Sequence, residues 1–454
     1  MKTPSTAKDG RDLIWHPYTR HSVQRQGLPV IVRGKGPWLY DQAGTKFFDA
    51  ISSWWCVNLG HGHPRLVRAI RQQAGRLQHS ILGGLSHPAA LTLAGMIADL
   101  FPDSDRRVLF ASDGSCAVEA ALKIAVQYWH NRGMSGKKRI LALRDAYHGD
   151  TTGAVSAGFI PAFHKPFKPL CFPCLRAEAP CCHPCRHGKE PGTCSLPCMN
   201  SMRRVIKAQG RRLAAVIVEP LCLGSAGMRV YSPRYLAALS ALCRRENVLL
   251  IVDEIAMGMG RTGRMFAFEH AGIDPDIVCL GKGLSAGYLP ISATVVKKAI
   301  YDTFTDRPID RTLYHGHTFT GNPIAAALAV ETLNVYRDEQ VVEAAAANGA
   351  FMRGELEPLA SLPHVRAVRC LGMLGAVEFR NLRNGPAGSE QAQQVKAALF
   401  ERHILIRPLG PVVYLMPPLI TSRRDLARLC RQFAAAVRHT ALPACVGIKL
   451  ADEE

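Results

Sequence analysis

The stretch NVLLIVDEI (residues 247–255) runs five apolar residues, Val248 to Val252, straight into two carboxylates, Asp253 and Glu254. Such a run, with no polar alternation, reads as a strand buried on both faces, the kind found in parallel sheets covered by helices. The same pattern recurs on either side. RRVLFAS (106–112) precedes CAVEAALKIAVQYWH (116–130), whose apolar residues repeat at helical spacing. KRILALRDAYHG (138–149) begins as a strand. LAAVIVEP (213–220) precedes SPRYLAALSALCRRE (232–246), which opens with a Ser cap and a Pro in the first turn, and DIVCLGKGL (276–284) closes the series. The expected fold class is α/β, a large, mainly parallel sheet domain joined to a smaller α+β domain. Parallel sheets bind ligands beyond the carboxyl ends of their strands. Those ends carry Tyr147 and His148, Glu219, Asp253 and Glu254, and Lys282, so four strands deliver polar groups to one edge.

A chain of 454 residues is too long for one ordinary core. The large domain is placed at 61–329 and the small one at 330–454, after the long helical pattern TGNPIAAALAVETLNVYRDE (320–339). GMLGAVEF and HILIRP are strand candidates of the small domain, which residues 1–60 are expected to join. Hydrophobic residues at 48% and charged residues at 20% fit a soluble globular protein. The net charge of +20 is scattered, with no block of five or six like charges, so it reads as solvated surface and no nucleic-acid partner is expected. Met1 to Leu13 has no apolar signal region and the apolar runs are far too short to span a bilayer, so a cytoplasmic protein without a membrane partner is expected.

Lys282 lies between two glycines after an apolar strand, a place that disfavours the charged form of its amine. An amine so placed can condense with an aldehyde as an exchangeable Schiff base. Pyridoxal 5'-phosphate, the usual such aldehyde, requires that lysine, an acid beside its ring nitrogen, a phosphate cradle and a flat group over the ring. Asp253 can supply the acid. SDGSCAVEA (112–120) turns from strand to helix through Gly114 and Ser115, whose backbone N–H groups suit a phosphate. Tyr147 can stack on the ring. GMGRTG (258–263) also fits a dinucleotide-binding pattern, but RMFAFEHAGIDPDIV behind it leaves no room for the helix that pattern needs; a loop shaping the pocket is expected instead.

These motifs carry a family resemblance. IVDEIAMGMGRTGRMFAFEHAGIDPDIVCLGKGL (251–284) resembles the signature of class III aminotransferases, pyridoxal-phosphate enzymes of fold type I. IWHPYT (14–19), SSWW (52–55), AYHGDT (146–151), HGHTFTGNP (315–323) and IRPLGPVVYLMPP (406–418) resemble the biotin-pathway branch of that family, over residues 11 to 435. The resemblance implies a homodimer with shared active sites. It implies that Lys282 holds the cofactor and moves the proton, that Asp253 pairs with the ring nitrogen and that Gly114 and Ser115 hold the phosphate. His317 and Thr318 would reach that phosphate from the neighbouring subunit. Tyr18, which the resemblance also places among the catalytic residues, would line the substrate slot with Trp54, Tyr147 and Gly316. Arg407 would receive the carboxylate of 7-keto-8-aminopelargonate. The donor would be S-adenosylmethionine or lysine; the alternative is a relative acting on ornithine, γ-aminobutyrate or a diamine. Two positions depart from the family pattern: Asp113 sets a carboxylate beside the phosphate loop, and His317 stands where proline is frequent.

Seven of the 15 cysteines fall in 171–198, within the insert 171–200. No export signal accompanies them, which points to reduced thiols. No metal is assigned; the spacing of Cys182, Cys185, Cys194 and Cys198 suits tetrahedral zinc, and packed reduced thiols or a redox role stay open beside it.

Overall fold

The computed structural model describes residues 13–25, 27–102, 105–190, 193–382 and 385–440; the outermost parts of the two terminal segments placed above, 1–12 and 441–454, lie outside the described residues. A seven-stranded sheet forms the centre, in the order Arg106–Ala111, Ser292–Lys297, Ile277–Leu280, Leu249–Asp253, Leu213–Val218, Arg139–Leu143, Leu175–Ala177. Every strand runs parallel except Ser292–Lys297, which is antiparallel to both neighbours. Leu249–Asp253 lies in the middle and is buried along its whole length, as its unbroken apolar run requires.

The helix Gly114–Asn131 packs under this sheet through Ala117, Ala121, Ile124 and Ala125. Asp113 caps it, its Oδ1 accepting from Cys116 N at 3.1 Å. On the other face Pro233–Arg245 starts at Ser232, whose hydroxyl accepts from Arg234 N. Both helices thus begin at side-chain caps that satisfy otherwise unpaired N–H groups.

Two smaller sheets adjoin. Val365–Leu371, Leu374–Phe379 and Val412–Leu415 form an antiparallel three-stranded sheet. Ile31–Lys35, Trp38–Asp41 and Lys46–Asp49 form another, extended by Ile404–Leu405 running parallel to Lys46–Asp49. HILIRP therefore pairs with the N-terminal segment and not with GMLGAVEF. Its first two strand residues hydrogen-bond to Lys46–Asp49, and Arg407 follows two residues later.

GMGRTG forms no helix. Its loop encloses Arg261, whose guanidinium donates to Pro417 O at 2.6 Å, Asn58 Oδ1 at 2.8 Å and Met373 O at 3.2 Å, tying the large sheet to the segments around the small one. Met259, Gly260 and Gly263 there have positive φ, so the glycines serve a tight loop and not a nucleotide.

The insert places Leu175–Ala177 on the edge of the central sheet and docks on the small sheet. Buried Arg369 donates to His183 O at 2.9 Å, to Gly227 O at 2.9 Å and to Glu378 at 2.6 Å. Among the described residues, no three or more His, Cys, Asp or Glu side chains are placed to hold a metal ion, and Cys182, Cys185, Cys194 and Cys198 carry free thiols. Replacing Arg369 by Ala should destabilise the fold by about 3 kcal/mol, the low end for a broken buried pair because Arg366 stays near Glu378. A urea midpoint within error of the parent would remove Arg369 as the tie that holds the insert.

Candidate active site

Asp253 ends the central strand and pairs with Cys279, three residues before Lys282 on the neighbouring strand. The two parallel strands therefore carry an acid and an amine to the same edge. Burial pushes the Lys282 amine below its ordinary pKa, while the charge of Asp253, more than any other neighbour, pulls it back up. Lys282 itself has φ +40, a left-handed backbone that turns its side chain off the strand, and its Nζ lies 5.5 Å from the centre of the Trp55 ring.

Asp253 is 5% exposed. Its Oδ2 lies 2.8 Å from His148 Nδ1 and its Oδ1 accepts from Ile255 N at 3.1 Å. Behind them Glu219 accepts from Tyr147 N and Gly224 N, each at 3.0 Å. Burial raises the Glu219 carboxyl to about 7, with Asp253 adding to the rise and His148 opposing it. Glu254, one residue past Asp253, faces away and accepts from Ala267 N and Phe268 N; burial lifts it to about 8.

The start of the helix Gly114–Asn131 meets this group. A Cβ on Gly281 would lie 3.5 Å from Gly114 Cα, so the turn abuts the residue before Lys282. A Cβ on Gly114 would meet Ile255 at 3.0 Å, which restricts the position to glycine or a local shift. Asp113 spends its carboxylate on Cys116, both N and Sγ, and so points back along the helix. The N–H groups of Gly114 and Ser115 have no acceptor among the described residues and stay available for an anion.

The next cluster was only partly legible beforehand. Tyr18 OH donates to Asp150 Oδ1 at 2.7 Å and Tyr147 OH to Asp150 Oδ2 at 2.9 Å. Asp150 N donates to Ser115 Oγ at 3.3 Å, and His164 Nε2 stands 3.4 Å from Asp150. Burial works against the Asp150 charge, but contacts from His164, Tyr18 and Tyr147 outweigh it and hold the carboxyl below its ordinary range. Burial first, and Asp150 second, push the Tyr18 hydroxyl up to about 12. Asp150 and His164 were missed. For Asp150 a signal was present, since it stands three residues after Tyr147 beside a strand end already marked; nothing in the sequence marked His164.

Arg407 sits over the Trp54 ring at 4.3 Å and donates to Tyr18 O at 3.1 Å, while Tyr18 and Trp54 meet edge to face at 5.7 Å. Tyr18, Trp54, Tyr147 and Arg407 thus form one connected cluster, joined through Tyr18 and Asp150. Trp54 rides on an unusual support. Ser52, Ser53, Trp54 and Trp55 have φ of 49, 44, 74 and 72, one turn of left-handed helix closed by Trp55 N to Ile51 O. Each non-glycine residue in that conformation costs about 1–2 kcal/mol.

Gly316, His317 and Thr318 stand apart. His317 N donates to Thr320 Oγ1 and His315 lies 3.3 Å from Lys123. No hydrogen bond or ring contact joins the three to Lys282, Asp253 or Gly114 of their own chain among the described residues.

The protons on Glu219 and Glu254 predict a pH dependence. The unfolded chain releases them near 4.5, the fold only near 7 and 8, so their stabilising effect is full below about pH 4.5 and is lost as pH rises through 7 to 8. Urea midpoints of the cofactor-free protein should therefore fall between about pH 5 and 8, and fall less in Glu219→Gln; a parent profile that does not decline would put the charge back on both carboxyls.

The comparisons agree with this geometry. The profile of the family Aminotransferase class-III matches residues 20–437. The adenosylmethionine-8-amino-7-oxononanoate aminotransferase of Geobacter sulfurreducens is 37% identical over 420 residues, covering 91% of this chain and 93% of its own. The enzyme of that name from Synechococcus elongatus is 41% identical over 418 residues, covering 91% and 95%. The crystal structure of the Methanocaldococcus jannaschii enzyme of that name superposes with a TM-score of 0.89 at 35% identity, covering 95% of this chain and 98% of its own. An omega transaminase from Pseudomonas jessenii, solved in complex with PMP, gives 0.88 at 28% identity, covering 95% and 97%. With an enclosed lysine, an acid on the adjacent strand and a glycine-led helix start meeting at one sheet edge, the chain belongs to the class III aminotransferases, the pyridoxal-phosphate-dependent transaminases of fold type I.

Proposed function

We propose that this chain is the aminotransferase of biotin biosynthesis that converts 7-keto-8-aminopelargonate to 7,8-diaminopelargonate, with S-adenosylmethionine or lysine as donor. The observation that carries the reading is the Arg407 guanidinium, stacked on Trp54 and held by Tyr18 O at the outer end of the slot that starts at Lys282. A long aliphatic acid fits that plan: aromatic walls for the chain, a planar cation for its far carboxylate. The names of the curated relatives point the same way.

The residues present suit pyridoxal phosphate. The free N–H groups of Gly114 and Ser115 would hold its phosphate, Asp253 would keep its ring nitrogen protonated, and Tyr147 would lie against the ring. When bound, the cofactor supplies an aldehyde that carries the amino group and a charged ring that withdraws electrons. Lys282, its amine pushed toward the neutral form by burial, takes a proton at Nζ and returns it. His148 holds the Asp253 carboxylate in place from behind. Asp150, charged and fixed by two tyrosine hydroxyls, attracts the ammonium groups of donor and acceptor.

The chain would act as a homodimer in the cytoplasm. Ile81, Leu85, Leu91, Ile309, Tyr314 and Phe319 form an exposed apolar face around the adjoining segments 78–91 and 309–322. A second copy covering it would bring His317 and Thr318 to the phosphate of the opposite site, consistent with their making no hydrogen bond or ring contact to Lys282, Asp253 or Gly114 of their own chain among the described residues.

Turnover of 7-keto-8-aminopelargonate with each donor separately tests the activity, and parallel double-reciprocal lines are expected. Lys282→Ala should lower kcat by at least about 10³-fold. Arg407→Ala should raise the keto-acid KM about 10- to 100-fold with smaller change in the donor half-reaction. Turnover confined to ornithine, γ-aminobutyrate or diamines would replace this reading with one of another ω-amine.

A further inference from the structure

We infer that Asp49 is a positioning residue for substrate recognition: its carboxylate locks the left-handed turn Ser52–Trp55 that presents Trp54, and through Trp54 the stacked Arg407, to the slot. This rests on the reading that Trp54 and Arg407 line that slot. Asp49 is 1% exposed and ends the strand Lys46–Asp49. Oδ1 accepts from Ser53 N at 2.9 Å; Oδ2 accepts from Ser53 Oγ at 2.6 Å and lies 2.9 Å from His61 Nε2. One carboxylate thus grips both the backbone and the hydroxyl of Ser53, the residue whose positive φ immediately precedes Trp54. Four successive non-glycine residues do not remain left-handed without such a restraint. Neighbouring anchors hold the rest of the turn: Ser52 Oγ donates to Met416 O at 2.7 Å and Trp55 Nε1 to Tyr414 OH at 3.2 Å.

The same strand end also supports Arg407. Asp49 pairs with Leu405, and Ala50 N donates to Leu405 O at 3.2 Å, two residues before Arg407. Trp54 and Arg407, 4.3 Å apart, are therefore both hung from the last residues of Lys46–Asp49. Among the described residues Asp49 makes no hydrogen bond to Lys282, Asp253 or the Gly114 turn, so loosening it should move recognition and leave the chemistry intact.

Asp49 is also near enough to buried Arg261 for their charges to interact, so a purely structural role as counter-charge must be separated from the clamp. Glycine separates them, because it adopts positive φ without restraint. The variants Asp49→Asn, Ser53→Ala and the double variant Asp49→Asn with Ser53→Gly would be compared with the parent holoenzyme. Expected is a rise in keto-acid KM of about tenfold for Asp49→Asn and about threefold for Ser53→Ala. The bound-cofactor absorbance and the donor half-reaction rate should stay within about twofold. The double variant should regain most of the lost KM. An unchanged KM in folded Ser53→Ala and Asp49→Asn overturns the clamp, as does a double variant no better than Asp49→Asn. If Asp49→Asn does not fold, Ser53→Ala alone decides. A parent enzyme that does not turn over the keto acid fails the functional reading instead; the clamp then stands or falls on whether the part of iodide quenching that Trp54→Phe abolishes rises in Ser53→Ala.

Discussion

Everything in the site is arranged around one enclosed amine facing one enclosed carboxylate across neighbouring parallel strands. The Lys282 ammonium loses hydration where it sits, and Asp253 returns only part of that loss. Neither group can relax toward solvent, because each is tied to the end of a buried strand and Asp253 is held by His148 and the Ile255 N–H. The balance leaves the amine easier to deprotonate than a solvated lysine. Glycine at 114 fits the helix start against Ile255, and glycine at 283 lets the turn after Lys282 pack against Asn58 and Met259.

A second tier of carboxylates works by environment. Asp253 is buried with polar partners and Asp150 is charged between two tyrosine hydroxyls. Glu219 and Glu254 are buried deeper and drawn toward the neutral form. Four acids on one sheet edge would repel one another if all were ionised. Burial draws Glu219 and Glu254 toward the neutral form, which lessens that repulsion.

Five strands of the central sheet were legible as largely apolar runs, and the strand-end residues followed from strand polarity; Ser292–Lys297 and the three-residue Leu175–Ala177 carry no such run and were not. The edge those strands share carries Asp253 beside the strand that leads to Lys282, with the Gly114 turn abutting Gly281. The slot was harder. Trp54 and Arg407 are 353 positions apart, and only pairing of Ile404–Leu405 with Lys46–Asp49 brings them into contact, a long-range register that no local pattern announces. The left-handed turn was invisible for a different reason: serine and tryptophan carry no preference for positive φ, so tertiary restraint by Asp49 decides it. GMGRTG shows the converse, a familiar spacing whose glycines serve a loop around Arg261.

The insert has an effect beyond its thiols. It supplies Leu175–Ala177, a strand of three residues, as the last member of the central sheet. Were it trimmed away, Arg139–Leu143 would become the border, with a row of bare amides and carbonyls along a nearly all-apolar segment. Short terminal strands and covering loops are how proteins keep such borders from pairing with other chains. The Cys-rich segment therefore doubles as a selvedge for the sheet, and its presence bears on whether that border stays unpaired with other chains.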